Sequence, residues 1–338
     1  MYKNDFNLII KKYLKKPEDR LIQIGPCKVR LVSNLKDFPA YKYFSMGLQK
    51  QYKGEIVDYE LYCLSSKKIH FKNLAKMIDK NYRGQHFAEG YYVTDHFGKP
   101  IYMVTYGKSY YIFGEQLEYV VWPYFTKYFL FLYSLKNKSL FLKTAAFSIG
   151  SSTTLIMGRG NAGKTVFLSN MCLNGANYIS NSHVLVVGKK TQGILSSLRI
   201  RPEPWCKDIF DKENVYPGII PGEIIVDPIS MFKTQEKKRA LIKNVCIIDY
   251  QGKNHHEVKK ISGKVAYDYA EQFALGINVY RLEEDLLDLY KGDVHIFSRH
   301  YGKMKKNLMD LISSSNCYYI STNILDKKNR QEMFSLLK

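Results

Sequence analysis

The feature that most constrains this chain is a glycine-rich octet that follows an apolar run. Residues Thr153 to Met157 are apolar or β-branched, as in a buried strand, and the next eight residues read Gly-Arg-Gly-Asn-Ala-Gly-Lys-Thr. This octet matches G-x-x-x-x-G-K-[ST] at each fixed position, and a helix-compatible segment follows it. A strand, such a loop and a helix in this order predict a loop whose backbone amides bind nucleotide phosphates.

The motif assigns a role to each part of the octet. Lys164 is predicted to reach the β- and γ-phosphates, and the Thr165 hydroxyl to bind Mg²⁺. ATP or GTP is the expected nucleotide. The alternative is a glycine-rich turn that binds nothing. The residues predicted to bind the nucleotide are Gly158, Arg159, Gly160, Asn161, Ala162, Gly163, Lys164 and Thr165.

The length of the chain predicts its domain organisation. A chain of 338 residues is too long for one small core, so two domains are expected. Lys136, Asn137 and Lys138 follow an aromatic segment and mark the expected boundary. We therefore expect a smaller α+β domain at residues 1–138, which would recognise a substrate or partner. A nucleotide-binding domain is expected at residues 139–338.

The charge of the chain indicates an anionic partner. Lysine and arginine number 51 against 31 acidic residues, a formal net charge of +20. The hypotheses are a nucleotide and an acidic peptide or protein substrate. An AT-rich genome is the alternative explanation, since it also favours Lys, Asn, Tyr and Ile. Nucleic-acid binding is not expected, because no aromatic-interleaved recognition motif accompanies the charge. A nucleic-acid-linked NTPase is kept as a further alternative, and a homo-oligomer is left open.

Cysteine usage and hydropathy indicate a cytoplasmic protein. The six cysteines, at positions 27, 63, 172, 206, 246 and 317, lack metal-ligand or redox spacing. They are expected to be buried thiols in a reducing compartment. The first residues lack the pattern of a secretory signal. The most apolar stretch, Tyr119 to Leu135, carries Pro123 and Lys127 and falls short of about 20 clean apolar residues, so no membrane span is expected.

The residues on either side of the octet predict its local sheet. Leu140 to Phe147 form an apolar run, and only a short turn at residues 148–151 separates it from the strand that enters the octet. Two strands joined by so short a turn must be antiparallel. The helix is predicted over Lys164 to Leu173, ending at Asn174-Gly175. A short strand and a hairpin are expected to follow.

Two further predictions concern the first domain. Arg20 to Ser33 is predicted to form two short strands about the Gly25-Pro26 turn. Lys67 to Lys80 carries apolar residues at helical spacing with lysines between them, which favours a helix.

A second candidate for the phosphate chemistry lies farther along the chain. Val245 to Asp249 is an apolar run that ends in an acid. It has the form of a strand whose terminal Asp249 holds Mg²⁺ through water. The alternative is a hairpin in which residues 258–261 pair back onto this run and Asp249 is merely exposed.

The order of hairpin, P-loop, helix, short strand and hairpin resembles the HPr kinase/phosphorylase group over about residues 140–205. That group is related in fold to phosphoenolpyruvate carboxykinase, and its relatives include kinases of lasso-peptide precursors. The resemblance implies an α+β or α/β chain whose P-loop kinase domain has a mixed sheet. It implies Mg²⁺- and ATP-dependent phosphorylation of a hydroxyl on a peptide, a protein or a small molecule.

The resemblance also implies a catalytic group, in which this chain departs from the family. Asn181 and Ser182 stand where the family has acidic residues. Asn181 can orient a hydroxyl but cannot take its proton, whereas His183 could. Arg201, with Arg159 and Arg199, would neutralise charge in the transition state. The alternative is a nucleotide-binding partner protein with a degraded catalytic centre.

Overall fold

The described residues combine strands and helices, and the chain forms two units, Met1–Phe129 and Leu130–Lys338. The division falls inside a helix, nine residues before the boundary expected after Lys138. The computed structural model describes residues 10, 12–36, 38–65, 77–80, 84–87, 90–96, 99–117, 121–201, 203–206, 215–218, 221–233, 240–274 and 293–338.

The first unit is built on a nine-stranded sheet. Its order is β3-β1-β2-β4-β9-β8-β7-β6-β5, with 3₁₀ turns at Pro39–Tyr43 and Met46–Leu48. The strands are β1 Glu18–Ile24, β2 Cys27–Ser33, β3 Gln49–Gln51, β4 Tyr59–Ser65, β5 Met77–Lys80, β6 Gly84–Phe87, β7 Gly90–His96, β8 Lys99–Tyr106 and β9 Ser109–Gly114.

Two predictions for this unit have opposite outcomes. The hairpin at Gly25-Pro26 is confirmed, because Ile24 pairs with Cys27 and Gly25 adopts a φ of +60°. The predicted helix over residues 67–80 is wrong at Met77–Lys80, which is a strand paired with β6. Pairing between strands overrides local helical spacing there. Residues 67–76 lie outside the described residues.

The aromatic segment that precedes Lys136 is helical in its described part. A π-helical stretch, Val121–Thr126, continues into α1, Lys127–Lys136. Tyr59 of β4 stacks on Phe129 with ring centroids 4.9 Å apart, so part of this helix covers the sheet of the first unit. Among the described residues, no helix is both long enough and apolar enough to cross a membrane.

The second unit contains a nine-stranded mixed sheet and a small three-stranded sheet. Strands of the larger sheet are β10 Leu140–Leu142, β11 Ala145–Ile149, β12 Ser152–Met157, β13 Asn177–Ser180, β14 Val184–Val187, β15 Lys190–Gly193, β19 Ala240–Ile248, β20 His256–Lys260 and β21 Asn316–Thr322. Strands of the smaller sheet are β16 Leu198–Ile200, β17 Val215–Pro217 and β18 Ile224–Val226. The helices are α2 Lys164–Leu173, α3 Pro228–Phe232, α4 Gly263–Ala274, α5 Val294–Ser313 and α6 Lys327–Leu336, with a 3₁₀ turn at Pro204–Cys206.

Strand β12, which enters the octet, lies inside the larger sheet and is buried along its whole length. It pairs antiparallel with β11, as predicted, and parallel with β19. Strand β19 also pairs parallel with β21. The alternative hairpin between residues 245–249 and 258–261 is wrong, because β20 pairs with β21 instead. The C-terminal ends of β12 and β19 therefore meet at one edge of the sheet.

A buried polar side chain joins the central strands of this sheet. Asn244 of β19 is 4% exposed, and its Nδ2 donates to Thr154 Oγ1 at 3.3 Å and to the Leu337 carbonyl at 3.2 Å. Its Oδ1 accepts from Asn316 Nδ2 at 3.4 Å. A buried amide is costly unless it is hydrogen-bonded, so these contacts favour one register of β12, β19 and β21.

Helix α2 packs its apolar side chains on this sheet. It begins after Gly163 and ends at Asn174, before Gly175 with a φ of +104°, as predicted. Phe167 is buried, with its ring centroid 6.3 Å from that of Phe147 on β11. This packing holds the start of α2 beside the end of β12. All six cysteines are buried free thiols, as predicted.

Candidate functional site

The octet curls over the end of β19. Its first and last glycines are required for different structural reasons. A Cβ at Gly158 would lie 2.4 Å from the Ile248 carbonyl oxygen, so only glycine fits at this crossing. Gly163 adopts a φ of +82°, which favours glycine for steric reasons. A Cβ at Gly160 would meet nothing within 4 Å, so this position faces open space. The first and last glycines therefore shape the loop.

The Lys164 side chain folds back along the octet. Its Nζ donates to the carbonyl oxygens of Gly158 at 2.7 Å and Arg159 at 2.6 Å. Burial lowers the pKa of Lys164, and the positive charge of Lys143 lowers it further. The ammonium thus lies within the loop that would hold a phosphate, and an anion there would relieve the repulsion from Lys143.

Thr165 and Asn181 are brought together by the fold. Thr165 Oγ1, in the first turn of α2, lies 3.5 Å from Asn181 Oδ1, in the turn between β13 and β14. Ser182 adopts a φ of +92°, a left-handed conformation that is strained for a residue with a side chain. Ser196 Oγ donates to the Asn181 carbonyl at 3.4 Å. The turn predicted to face the acceptor therefore lies beside the predicted metal ligand.

Asp249 follows β19 at the sheet edge where the octet begins. Its Oδ1 lies 3.1 Å from Arg159 Nε, within the octet. Its Oδ2 accepts from Gln251 Nε2 at 3.3 Å, and the same amide donates to Tyr319 Oη at 2.8 Å. Because β19 is the parallel neighbour of β12, the carboxylate lies beside the loop and not at the tip of a separate hairpin.

The structure does not bring His183 and Arg201 into comparable contact with the octet. His183 is 1% exposed, and its ring stacks on Phe141 with centroids 5.9 Å apart. This position in the core gives no support to a role as a base for an incoming substrate. Arg201 follows β16 and is exposed, and its charge acts on the carboxylate of Glu223.

Lys143 is a charged residue near the site that the sequence pattern did not reveal. The run from Leu140 to Phe147 was expected to be one strand, but it is broken at Lys143-Thr144 into β10 and β11. Thr144 Oγ1 donates to the Ile156 carbonyl at 2.7 Å. Burial lowers the pKa of Lys143, and the charge of Arg199 adds to this effect. A lysine inside an apolar run was the available signal.

The donors present fit a phosphate and its Mg²⁺. Among the described residues, no group of three or more His, Cys, Asp or Glu side chains is arranged to hold a metal. A nucleotide-bound Mg²⁺ does not need one, since phosphate oxygens and waters supply most of its ligands. The Thr165 hydroxyl and the Asp249 carboxylate suit the remaining positions, and the loop amides with Lys164 suit the phosphates.

Comparison with protein-family models gives no matching family, and comparison with curated proteins gives no similar sequence. Any inference of function therefore depends on the residues of this site.

Proposed function

We propose that this chain is a Mg²⁺- and ATP-dependent phosphotransferase that phosphorylates a hydroxyl, with a peptide or protein as the favoured acceptor. The observation that supports this proposal best is the position of the octet between an antiparallel neighbour, β11, and a parallel neighbour, β19, whose terminal Asp249 lies at the loop. This arrangement brings the octet, with Thr165 at its end, and the Asp249 carboxylate to one edge of the sheet. GTP is the alternative nucleotide.

The octet and its neighbours would hold the nucleotide. The loop amides and Lys164 would bind the β- and γ-phosphates, and the Thr165 hydroxyl would ligate the metal. Asp249 would hold a metal-bound water after separating from Arg159. When bound, Mg²⁺ supplies positive charge to the phosphate oxygens. The positive charge of Lys164 and Arg159 would add to that stabilisation.

The acceptor hydroxyl would be oriented by Asn181. Its Oδ1 lies 3.5 Å from Thr165 Oγ1, so an acceptor held by this amide would approach the nucleotide phosphates. An amide cannot take the proton of the hydroxyl. Phosphoryl transfer depends mainly on positioning and charge stabilisation, so a slow reaction without a strong base is chemically reasonable.

The test is transfer of label from γ-labelled ATP, in the presence of Mg²⁺, to a library of serine- and threonine-containing peptides. The proposal expects labelled peptide with the wild-type chain and none with Lys164→Ala. The matched control is Lys189→Ala, which removes an exposed lysine of the β14–β15 turn. Wild-type protein that binds Mg·ATP but labels no peptide, protein or small-molecule hydroxyl contradicts phosphotransfer.

A second candidate function is a nucleotide-binding partner protein that has lost catalysis. The specific observation in its favour is that the group beside Thr165 is the amide of Asn181, where the kinase group that the sequence resembles carries a carboxylate. This function predicts ATP binding that depends on Lys164 and leaves the nucleotide intact. Prolonged incubation with labelled ATP, followed by separation of ATP, ADP and phosphate, distinguishes the two candidates.

A further inference from the structure

Strand pairing places Lys143 opposite His183, the residue that follows the Asn181-Ser182 turn. Leu142, the last residue of β10, pairs with Val184, the first residue of β14. Because the strands are antiparallel, the residue after β10 lies beside the residues that precede β14. The Lys143 amide donates to the Phe273 carbonyl at 3.0 Å, which fixes the backbone at this point. Lys143 is exposed as a residue, although its ammonium is desolvated enough to lower its pKa.

Arg199 reaches the same region from the small sheet. Its Nη1 lies 3.9 Å from the carboxylate of Glu223, whose side chain is 10% exposed. A Cβ at Gly218 would lie 2.8 Å from Glu223 Oε2, so the glycine leaves room for this carboxylate. Ser196, three residues before Arg199, donates to the Asn181 carbonyl. The Glu223 carboxylate therefore pairs with an arginine whose strand is preceded by a residue hydrogen-bonded to the turn.

The positive charges act on one another across this region. Burial lowers the pKa of Lys143, and the positive charge of Arg199 lowers it further. Like charges that act on one another in this way raise the free energy of the protein. Glu223 pairs with Arg199 and offsets one charge of the group. Such a group binds an anion more favourably than isolated surface lysines do.

We propose that Lys143 and Arg199 form a subsite for the carboxylates of an acidic peptide, beside the hydroxyl that receives the phosphoryl group. This inference rests on the proposed phosphotransferase function and names its substrate class. The nucleotide phosphates are assigned to the octet, whereas these two cations lie on segments that the β10–β14 pairing and the Ser196 hydrogen bond tie to the Asn181-Ser182 turn. Carboxylates suit them, because Arg199 can donate to both oxygens of a carboxylate and Lys143 adds a compact charge.

The experiment measures peptide binding to the full chain saturated with Mg²⁺ and a non-hydrolysable ATP analogue. Two fluorescent peptides are compared, with the same serine flanked by glutamates in one and by glutamines in the other. The glutamate peptide is expected to bind at least about tenfold more tightly, as charge-assisted hydrogen bonds predict. Lys143→Ala and Arg199→Ala are each expected to remove about tenfold of that preference, and Lys143→Arg to retain it.

Lys189→Ala is the matched control, because it removes the same charge from an exposed turn of the same unit. Equal weakening by Lys143→Ala and Lys189→Ala shows diffuse attraction to a basic protein and overturns the subsite. Displacement of the glutamate peptide by a single-stranded oligonucleotide, if it depends on Lys143, also overturns the peptide subsite. That result would indicate that the two cations bind nucleic acid. Melting curves of each variant confirm that it is folded.

The same samples separate this inference from the proposed function. Wild-type protein that does not bind the analogue contradicts the nucleotide site, whereas a Lys143-dependent preference for the glutamate peptide in that sample still supports the subsite. Analogue binding that is intact, with no difference between the two peptides, leaves the nucleotide site in place and overturns the subsite.

Discussion

The guanidinium of Arg159 lies 3.1 Å from the carboxylate of Asp249, and this pair links the octet to the strand beside it. The Arg159 side chain is 72% exposed, so solvent screens the pair and it contributes little to folding. The main consequence that we expect is competition between Arg159 and a metal-bound water for the Asp249 carboxylate. The carboxylate oxygen that would face a metal-bound water is already in contact with a cation.

We expect Arg159→Ala to lower the Mg²⁺ concentration needed for nucleotide binding by roughly threefold, because an exposed ion pair is worth under about 1 kcal/mol. Asp249→Asn should raise it, since the carboxylate is lost. The measurement is a Mg²⁺ titration of a fluorescent ATP analogue. Arg159→Lys, which keeps the charge, serves as the control. A higher Mg²⁺ requirement for Arg159→Ala contradicts the competition.

Gly158→Ala is expected to destabilise the second unit by about 1–3 kcal/mol and to abolish nucleotide binding, since overpacking against backbone displaces the loop. The reason is the 2.4 Å approach of the new Cβ to the Ile248 carbonyl. Gly160→Ala is the matched control, because its Cβ meets nothing within 4 Å and stability should be unchanged. Chemical denaturation and nucleotide titration measure both. Equal stability of the two variants contradicts a steric clash between the new Cβ at position 158 and the Ile248 carbonyl.

Asn181→Asp is expected to raise the rate of phosphoryl transfer, because it places a proton acceptor beside Thr165. General-base catalysis supplies about 10²–10⁴-fold, and we expect the lower end of that range from an unoptimised site. Ser182→Asp adds the same charge one residue along and should give no such increase. Initial rates with saturating ATP and a peptide acceptor are the measurement. If both variants gain equally, the effect comes from charge and not from position.

Lys143→Ala is expected to raise the pKa of Lys164. Burial lowers the pKa of Lys164 most and the positive charge of Lys143 lowers it further, so removal of that charge makes the protonated form of Lys164 easier to reach. Lys143→Arg keeps the charge and should leave the pKa lowered. NMR titration of ¹³C-labelled lysine, with Lys164 assigned through Lys164→Arg, measures the shift. An unchanged Lys164 pKa in Lys143→Ala would mean that burial alone lowers it.

Glu223→Gln is expected to flatten the dependence of stability on pH. Burial raises the pKa of Glu223 above its ordinary value of 4.5, while Arg199 and Arg201 oppose the rise. The folded chain thus holds the proton more tightly than the unfolded chain. This difference in proton binding contributes to the free energy of unfolding. The contribution is fully present below pH 4.5 and is lost as the pH rises through the pKa of Glu223 in the folded chain.

Glutamine does not ionise, so the variant should lose less unfolding free energy between acid and neutral pH than the wild type. Urea denaturation at a series of pH values is the measurement. Glu332→Gln, at a half-exposed carboxylate of α6, is the control. Parallel pH profiles for wild type and Glu223→Gln contradict the prediction.

Local elements near the octet could be predicted because their signals are short-range. Helix α2 has the predicted bounds, since a glycine at each end limits it. The antiparallel pairing of β11 with β12 follows from a turn too short for any other geometry. In the same way, the motif itself predicts the roles of Lys164 and Thr165, which stay predictions.

The amino-acid sequence by itself determined a strand, loop and helix with the groups that a phosphate needs. Only the tertiary structure decided that β19 lies parallel to β12, because pairing between distant strands has no local signal. That pairing places Asp249 at the loop and makes Gly158 necessary. The tertiary structure also decided that the run at residues 140–147 is broken into β10 and β11, which leaves Lys143 between two strands and outside both. The charges of Lys143, Lys164 and Arg199 come from the break between β10 and β11, the start of α2 and strand β16, so their mutual influence depends on long-range packing that sequence spacing does not contain.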